Sequence, residues 1–377
     1  MPKAIEASDF TKYSTLSEPS FSPDGRKVAY SVKRANLEDD LYDSDVYIAD
    51  VKSGTTAAFT SGKRDLDPRW SPDGRSILFV SRRGLKKDEK GNSLYVIPSE
   101  GGEARLVRRS EEGIDGPQWS PDSKSIYYLS FVSKKPKDDV KVIDRLTFWF
   151  NGLGFVYNRR KHLFVVDVGT GKVRQLTKGA QDLSEFAISH DGKRAAYLSS
   201  SDDIRPYISD AIVMDLARGT KVKVTKSNME LSAVAWSPDD SNLALAGDEL
   251  PAGFASHTRV WVADLKSKRL QRAERVDRNK SNALNSDARA KAHGPGNLVW
   301  NGEGIHFLQA DGGSVRLYVV KPGESPKLVV GGDRSIEGYD VSESGVAVVS
   351  MDSTHLEELV HIGSKERVVS SHNAGVY

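Results

Sequence analysis

Short segments in which apolar and polar residues alternate recur along the whole chain of 377 residues. The clearest of them read KVAYSV, SILFVS, SIYYLS, RAAYLS, NLALAG, IHFLQA and VAVVSM. Alternation with a period of two, in segments rich in β-branched and aromatic residues, predicts strands that are buried on one face. Each segment precedes a second apolar segment, such as DVYIADV, and a short third one, such as KVRQLT. The pattern therefore predicts an all-β chain built from a repeated unit.

A turn tetrad stands before each of these alternating segments. Ser-Pro-Asp-Gly occurs at residues 22–25 and 71–74. Weaker copies occur at residues 120–123, 189–192, 237–240, 301–304 and 342–345. Proline presets φ for a type I turn, aspartate tolerates the next position, and glycine supplies the left-handed residue of a hairpin with a bulge. An apolar or aromatic residue precedes each tetrad, and we expect it to fill the seam between neighbouring sheets.

Four antiparallel strands in each of seven copies predict a seven-bladed β-propeller, and the regular repeat disfavours a generic β-sandwich. The whole chain, residues 1–377, would be a single domain. An amino-terminal extension (residues 1–16) precedes the blades (residues 17–372). Because all four strands of each blade lie within one repeat, we expect no terminal strand to be shared. The ring would then be open between the first and seventh blades and held there by side-chain packing.

The third repeat carries an insertion, residues 133–161, between its second and third strands. Its core reads RLTFWFNGLGFVYNRR, in which Gly152 and Gly154 are predicted to form a hairpin turn. Two interpretations stay open. The insertion is either an extra hairpin that covers the propeller edge, or a surface that contacts a ligand or partner through aromatic residues beside arginines.

Composition excludes several classes of function. A formal net charge of +2 provides no electrostatic argument for binding nucleic acid or an anionic membrane. The chain has no cysteine, which excludes disulfides, cysteine nucleophiles and thiolate metal sites. No segment has the length and apolarity of a signal peptide or a membrane span, so we expect a cytoplasmic protein.

The sequence contains no familiar catalytic motif. It lacks the Gly-x-Ser-x-Gly elbow of α/β-hydrolases and the His-Glu-x-x-His zinc motif, and we predict neither a metal nor a cofactor. Three pairs of adjacent carboxylates in predicted loops or at sheet edges are expected to be solvated: Asp39-Asp40, Glu111-Glu112 and Asp202-Asp203. The pair Glu357 and Glu358 instead enters a predicted third strand, where binding of an amine is an alternative. A propeller glycosidase or lyase would need an acid/base pair in the central tunnel, and none stands out.

One stretch resembles a known family. Residues 139–177, DVKVIDRLTFWFNGLGFVYNRRKHLFVVDVGTGKVRQLT, resemble a blade of the acylaminoacyl peptidases, in the prolyl oligopeptidase family of serine peptidases. The opening DFTKYSTLSEPSFSPDGRKVAYSV and the closing VAVVSMDSTHLEEL are also similar, although His355 and Leu356 replace an expected proline. The resemblance implies a propeller set over an α/β-hydrolase domain. In that arrangement the propeller excludes large folded proteins from the hydrolase domain and admits short peptides. The catalytic serine, aspartate and histidine would lie in that domain, outside this chain, so the chain alone should be inactive.

Two functional hypotheses follow from the resemblance. In the first, the chain is the substrate-gating propeller of such a peptidase. Its partners are short peptides and a hydrolase domain from the same gene or a separate chain, and its exposed docking face favours self-association. Candidate substrate contacts facing the interdomain cavity are Arg145, Trp149, Asn151, Arg159 and Arg160, since arginine can bind a peptide carboxylate in a bidentate manner. In the second, the chain is a stand-alone scaffold, like WD40 or Tol–Pal propellers, that binds a protein partner.

Overall fold

Antiparallel strands make up nearly all of the regular structure. The computed structural model describes residues 6–134, 140–151, 153–284 and 298–376. Within these ranges the only helices are two short 3₁₀ helices, Ala7–Lys12 and Gly253–Ala255. Neither of these helices is long and apolar enough to cross a membrane. The prediction of an all-β chain is confirmed.

The first half of the chain forms three four-stranded sheets and one separate hairpin. The first sheet consists of β1 (Ser14–Phe21), β2 (Lys27–Asn36), β3 (Leu41–Asp50) and β4 (Thr56–Ala58). The second consists of β5 (Asp65–Trp70), β6 (Ser76–Ser81), β7 (Asn92–Pro98) and β8 (Arg105–Ser110). Next come β9 (Asp115–Trp119) and β10 (Ser125–Ser133), then the separate pair β11 (Trp149–Phe150) and β12 (Gly154–Phe155). The third sheet is completed by β13 (Arg159–Asp167) and β14 (Val173–Gln175).

The second half continues the same pattern of four strands in sequence order. The fourth sheet consists of β15 (Asp182–Ile188), β16 (Arg194–Ser200), β17 (Asp210–Asp215) and β18 (Lys221–Lys223). The fifth consists of β19 (Glu230–Trp236), β20 (Asn242–Asp248), β21 (Arg259–Asp264) and β22 (Leu270–Arg272). The sixth set is β23 (Val299–Asn301), β24 (Gly304–Asp311), β25 (Ser314–Val320) and β26 (Lys327–Val330). The last set is β27 (Ser335–Ser342), β28 (Gly345–Met351), β29 (Glu358–Ile362) and β30 (Glu366–Val368). One parallel bridge between Val315 and Ser335 joins these last two sets into an eight-stranded sheet.

The tetrads form the turns between the first and second strands of the sheets. Gly25, Gly74 and Gly192 have φ values of +68°, +71° and +69°, so they occupy the left-handed region as predicted. In the copies without glycine at this position, Ser123 and Asp240 adopt the same conformation, with φ values of +60° and +56°. The prediction of a hairpin turn with a left-handed residue is therefore confirmed at these five copies.

A hydrogen bond inside each of these five tetrads was not predicted from the sequence. The serine hydroxyl donates to the carboxylate two residues later, at 2.6 Å in every case. The pairs are Ser22 with Asp24, Ser71 with Asp73, Ser120 with Asp122, Ser189 with Asp191, and Ser237 with Asp239. The same carboxylate accepts a backbone N–H two residues further on. Because these bonds favour the ionised form, the pKa of each of the five aspartates is lowered.

Apolar side chains fill the seams between successive sheets, as expected for the residue before each tetrad. Trp70 packs between the first and second sheets, Trp119 between the second and third, and Trp236 between the fourth and fifth. Three further seams are filled in the same way. The residue is Ile188 between the third and fourth sheets, Trp300 between the fifth sheet and the sixth set, and Val341 between the sixth and last sets. Phe21 belongs to a cluster that joins the first sheet to the last set of strands. This predicted role of the apolar residue is confirmed.

Side chains close the junction between the first sheet and the last set of strands. Within the described residues no strand pairs across this junction. Instead, the backbone N–H groups along the edge of β1 donate to side-chain oxygens: Ser14 to Asn373 at 2.8 Å, Leu16 to Glu357 at 2.6 Å and Phe21 to Asp340 at 2.8 Å. The Asn373 amide also donates to the Ser14 carbonyl at 2.8 Å. An unpaired strand edge is thereby capped, which satisfies polar groups that would otherwise be exposed for pairing with another chain.

The antiparallel order gives the molecule two different faces, because alternate connections lie at the same ends of the strands. One face, here called the tetrad face, carries the tetrads and the turns between third and fourth strands. Tetrads of neighbouring sheets bond to each other there, as Asp73 N–H does to the Ser123 hydroxyl at 3.1 Å. The opposite face, here called the termini face, carries the connections between second and third strands, the links between sheets, and both ends of the described chain.

Candidate functional site

Exposed apolar side chains are concentrated on the termini face. Among the described residues, four exposed large apolar side chains lie on outer, fourth strands: Leu106, Val222, Leu328 and Val368. All the others lie on the termini face: Phe10, Leu37, Tyr42, Val132, Val140, Val142, Ile143, Leu146, Phe148, Trp149, Phe150, Leu153, Phe155, Ile204, Tyr207, Phe254 and Val276. Large exposed apolar patches on soluble proteins mark sites of interaction. The termini face is therefore the candidate functional surface.

The aromatic hairpin, defined as the described residues from 148 to 156, is the most apolar part of this face. Its two strands pair Trp149 with Phe155 and Phe150 with Gly154. Trp149 and Phe150 are each 51% exposed. Gly154 has a φ of +71°, which suits its predicted place beside the turn, whereas Gly152 lies outside the described residues. The prediction of a hairpin within the insertion is confirmed.

Two arginines and two aspartates hold the base of this hairpin against the fourth sheet. Arg145, only 8% exposed, places its guanidinium 2.6 Å from the Asp182 carboxylate and donates to the Arg159 carbonyl at 3.0 Å. Arg160 donates to Asp203 at 2.6 Å and lies 3.6 Å from Asp182. Alternating charges that share partners in this way form a fixed network rather than isolated surface pairs.

The predicted contact residues thus fall into two groups. Arg145 and Arg160 are brought together at the base, where carboxylates of the protein already bind them. Trp149 and Asn151 are exposed on the hairpin, and the Arg159 guanidinium lies over the Phe131 ring at 6.0 Å. Contact of these five residues with a substrate stays a prediction.

A charged cluster on the innermost strands was missed by the sequence analysis. First strands of neighbouring sheets pack against each other, so they lie innermost. From β5, Arg69 extends to Asp67 at 2.7 Å. Burial opposes the charge of Arg69, but Asp67, Glu18, Asp340 and Glu185 hold its pKa above the ordinary value. These carboxylates come from four different sets of strands.

Two features of this cluster bear on its chemistry. Burial raises the pKa of Glu185 to about 7, so this carboxyl can exchange a proton near neutral pH. A sequence signal did exist: Glu18-Pro19 and Asp67-Pro68 lie 49 residues apart, in equivalent positions of the repeat. Glu18 and Asp67 share a left-handed backbone, with φ values of 59° and 57°. In the described part of the chain, no group of three or more histidine, cysteine, aspartate or glutamate residues could hold a metal ion.

The paired glutamates of the last set serve the structure. Glu357 accepts the N–H of Leu16 across the junction. Glu358 accepts the hydroxyl of Ser370 and the backbone N–H groups of His372 and Asn373. Both side chains therefore bind donors of this chain, which leaves the amine-binding alternative without support in the geometry. Beside them lies a cavity of about 580 Å³, lined among others by Arg334, Met351 and His355.

Comparison with proteins of known structure gives the same fold. An acylaminoacyl peptidase in complex with Z-Gly-Gly-Phe-chloromethyl ketone superimposes with a TM-score of 0.75 at 20% identity, covering 97% of this chain and 54% of that one. The acylaminoacyl peptidase of Pyrococcus horikoshii gives 0.74 at 21% identity, covering 96% and 53%. The propeller domain of the Trilobed protease of Pyrococcus furiosus, described as having an open velcro topology, gives 0.69 at 20% identity, covering 98% and 99%.

The sequence also matches a family model. The chain spans about half the length of the two acylaminoacyl peptidase chains. Residues 83–355 match the model of the acylaminoacyl-peptidase N-terminal β-propeller domain. This range begins in the second sheet, ends in the last set of strands, and includes the insertion that carries the aromatic hairpin. The chain belongs to the family of acylaminoacyl-peptidase N-terminal β-propeller domains.

Proposed function

We propose that this chain is the substrate-gating propeller of a serine peptidase of the acylaminoacyl-peptidase type. In this proposal the seven sets of four strands are the blades of one ring, residues 17–372. The ring is open between the first and last blades, in the sense that no strand is shared there. The capped edge of β1 supports this arrangement. The open velcro topology described for the Pyrococcus furiosus domain supports it as well.

The observation that carries the proposal is the concentration of exposed apolar side chains on the termini face. Both ends of the described chain lie on that face, and the acylaminoacyl peptidases that share the fold are about twice as long. An apolar face of this kind is what a second domain would cover. We therefore propose that an α/β-hydrolase domain docks on the termini face and carries the catalytic serine, aspartate and histidine.

In the proposed mechanism the propeller selects substrates by their size and positions them, and it takes no part in the chemical step. A domain seated on the termini face would be shielded from folded proteins, while short peptides would still reach it. Trp149, Asn151 and Arg159 border the proposed cavity, and Arg145 and Arg160 hold the insertion in place through Asp182 and Asp203. The absence of cysteine supports a reducing compartment, and we propose the cytoplasm.

Selectivity by size is the test of this function. The complete product of the source gene should cleave a short fluorogenic peptide rapidly. It should leave intact a folded protein that displays the same peptide in a surface loop. Equal cleavage of the two substrates would refute gating.

Labelling with a serine-reactive fluorophosphonate tests where the nucleophile lies. The isolated chain should not be labelled, because its sequence has no nucleophile elbow. The complete gene product should be labelled. A stop codon directly after Tyr377 would favour the alternative, a stand-alone scaffold whose apolar face binds a protein partner.

A further inference from the structure

The aromatic hairpin exposes apolar surface that the described fold does not use. Large aromatic side chains at the ends of first strands fill the seams between sheets, as Trp119 and Trp236 do. Trp149 and Phe150 instead leave half of their surface in solvent. Tryptophan and other aromatic residues at the centre of an interface contribute a large share of its binding energy. The hairpin therefore has the composition of an interface core.

The hairpin is also held in one position before any partner binds. The Leu146 N–H donates to the Asp203 carbonyl at 2.8 Å, and the Val156 N–H donates to the Phe148 carbonyl at 2.8 Å. Val156 is buried, and the network of Arg145 and Arg160 fixes the segment on both sides of the hairpin. A preorganised surface loses little conformational entropy on binding, which strengthens the complex.

The charges around the hairpin favour a protein partner over a membrane surface. The Lys141 ammonium lies 5.2 Å from the centre of the Phe155 ring, and Asp144 is exposed three residues further along. Arg145 and Arg160 are neutralised by Asp182 and Asp203. A mixed polar rim around an aromatic centre is typical of protein interfaces, whereas a peripheral membrane anchor needs an excess of cations.

The position of the hairpin identifies the partner. It lies on the same face as both ends of the described chain, so a domain that continues the polypeptide would be tethered beside it at high effective concentration. Other exposed apolar groups on this face, such as the Tyr207 and Phe254 rings 5.0 Å apart, extend the surface beyond the hairpin. A broad partner, such as a folded domain, fits this surface better than a single extended peptide.

We infer that the aromatic hairpin is the anchor through which the propeller docks on its hydrolase domain. This inference rests on the proposed function and adds to it the side chains that hold the two domains together. Trp149 and Phe150 would pack against an apolar depression of the hydrolase domain at the rim of the proposed cavity. The network of Arg145, Arg160, Asp182 and Asp203 would fix their direction without contacting the partner.

The double variant Trp149→Ser, Phe150→Ser in the complete gene product tests the anchor. In the wild-type protein we expect one cooperative unfolding transition and the compact scattering profile of docked domains. In the variant we expect two separate transitions and an increased radius of gyration, because the domains lose their main contact. Calorimetry and small-angle X-ray scattering measure the two effects.

The double variant Leu106→Ser, Leu328→Ser is the matched control. These two leucines are 49% and 55% exposed but lie on outer strands, away from the termini face. The control should behave like the wild type. If the hairpin variant also behaves like the wild type, the anchor is wrong while the proposed function stands. If the wild-type domains already unfold separately and scatter as an extended pair, the docking in the proposed function fails as well.

Discussion

At the scale of single residues, the sequence pattern of the tetrads predicted their backbone conformation but not their side-chain hydrogen bonds. The left-handed conformation of Gly25 and Gly74 followed from the preferences of proline, aspartate and glycine. The bond from Ser22 to Asp24 did not follow, because the serine rotamer that reaches the carboxylate is selected only after the backbone has turned. The role of Arg69 was missed for a similar reason, since its carboxylate partners are distributed over distant repeats.

Replacing Asp239 should change how stability depends on pH. Hydrogen bonds from Ser237 and Ser241 lower the pKa of Asp239 to about 2. A lowered folded-state pKa stabilises the protein above the ordinary aspartate pKa, and this contribution disappears as pH falls from about 4 towards 2. We expect Asp239→Asn to be less stable than the wild type at pH 7 and to lose less stability on acidification. Urea unfolding at pH 7 and pH 3 measures the difference.

The variant Ser237→Ala is the control for this prediction. It keeps the carboxylate but removes the largest cause of the lowered pKa. Its loss of stability on acidification should lie between those of the wild type and Asp239→Asn. Parallel pH profiles for the three proteins would contradict the argument.

Glu185 predicts a pH dependence of the opposite sign. Burial raises its pKa to about 7, so the folded protein binds this proton more tightly than the unfolded chain does. Stability from this group is therefore present at acidic pH and is lost as pH rises from about 4.5 through 7. We expect Glu185→Gln to be more stable than the wild type at pH 8, by up to about 3 kcal/mol. At pH 5 the difference in free energy of unfolding should fall below about 1 kcal/mol. A constant difference across this range would contradict the assignment.

At the scale of elements, alternation and spacing predicted the strands, the hairpin turns and the insertion. They did not predict the role of the carboxyl-terminal segment SSHNAGVY, which is mostly polar and shows no alternation. Asn373 bonds to Ser14 at the opposite end of the chain, so no local pattern could reveal it. The same holds for the base of the hairpin, because Asp182 lies in the first strand of the next sheet and Asp203 in the connection between its second and third strands.

Removing the Asn373 side chain should weaken the junction between the first sheet and the last set of strands. Asn373→Ala leaves the N–H and the carbonyl of Ser14 without their partner, and an unsatisfied buried group costs about 1–3 kcal/mol. Hydrogen exchange should accelerate at residues 14–16 and change little in β20, which lies in the fifth sheet. Asn373→Asp places a carboxylate oxygen against the Ser14 and Glu357 carbonyls, which now accept from the Asn373 amide, so at neutral pH it should accelerate exchange at least as much as Asn373→Ala. Unchanged exchange in both variants would show that apolar packing alone holds the junction.

At the scale of the whole molecule, the two faces differ in the contacts and exposure of their side chains. Side chains of neighbouring tetrads bond to one another across the tetrad face, as His190 does with Asp240. The termini face leaves its apolar side chains exposed. The exposed apolar face was expected from the sequence through the family resemblance, whereas the residues that form it depend on how the loops fold. The partner that covers it stays a proposal.

Self-association of the isolated chain is the expected result of this asymmetry. Without a partner, the termini face should bury its apolar surface against a second copy. Sedimentation velocity over a range of concentrations should show a shift from monomer to larger species. A monodisperse monomer at high concentration would argue against an apolar docking face.

The contact between Ser14 and Asn373 places two segments near the ends of the described chain side by side. A short flexible linker could therefore join them without strain, and the chain could be cut instead at the link between the third and fourth sheets, residues 178–181. In such a circular permutant, a peptide segment would link the first sheet to the last set of strands. The third and fourth sheets would no longer be linked by one. Every unit contributes a similar set of strands. The position of the chain ends would then decide which two neighbouring sheets are held together by side chains alone.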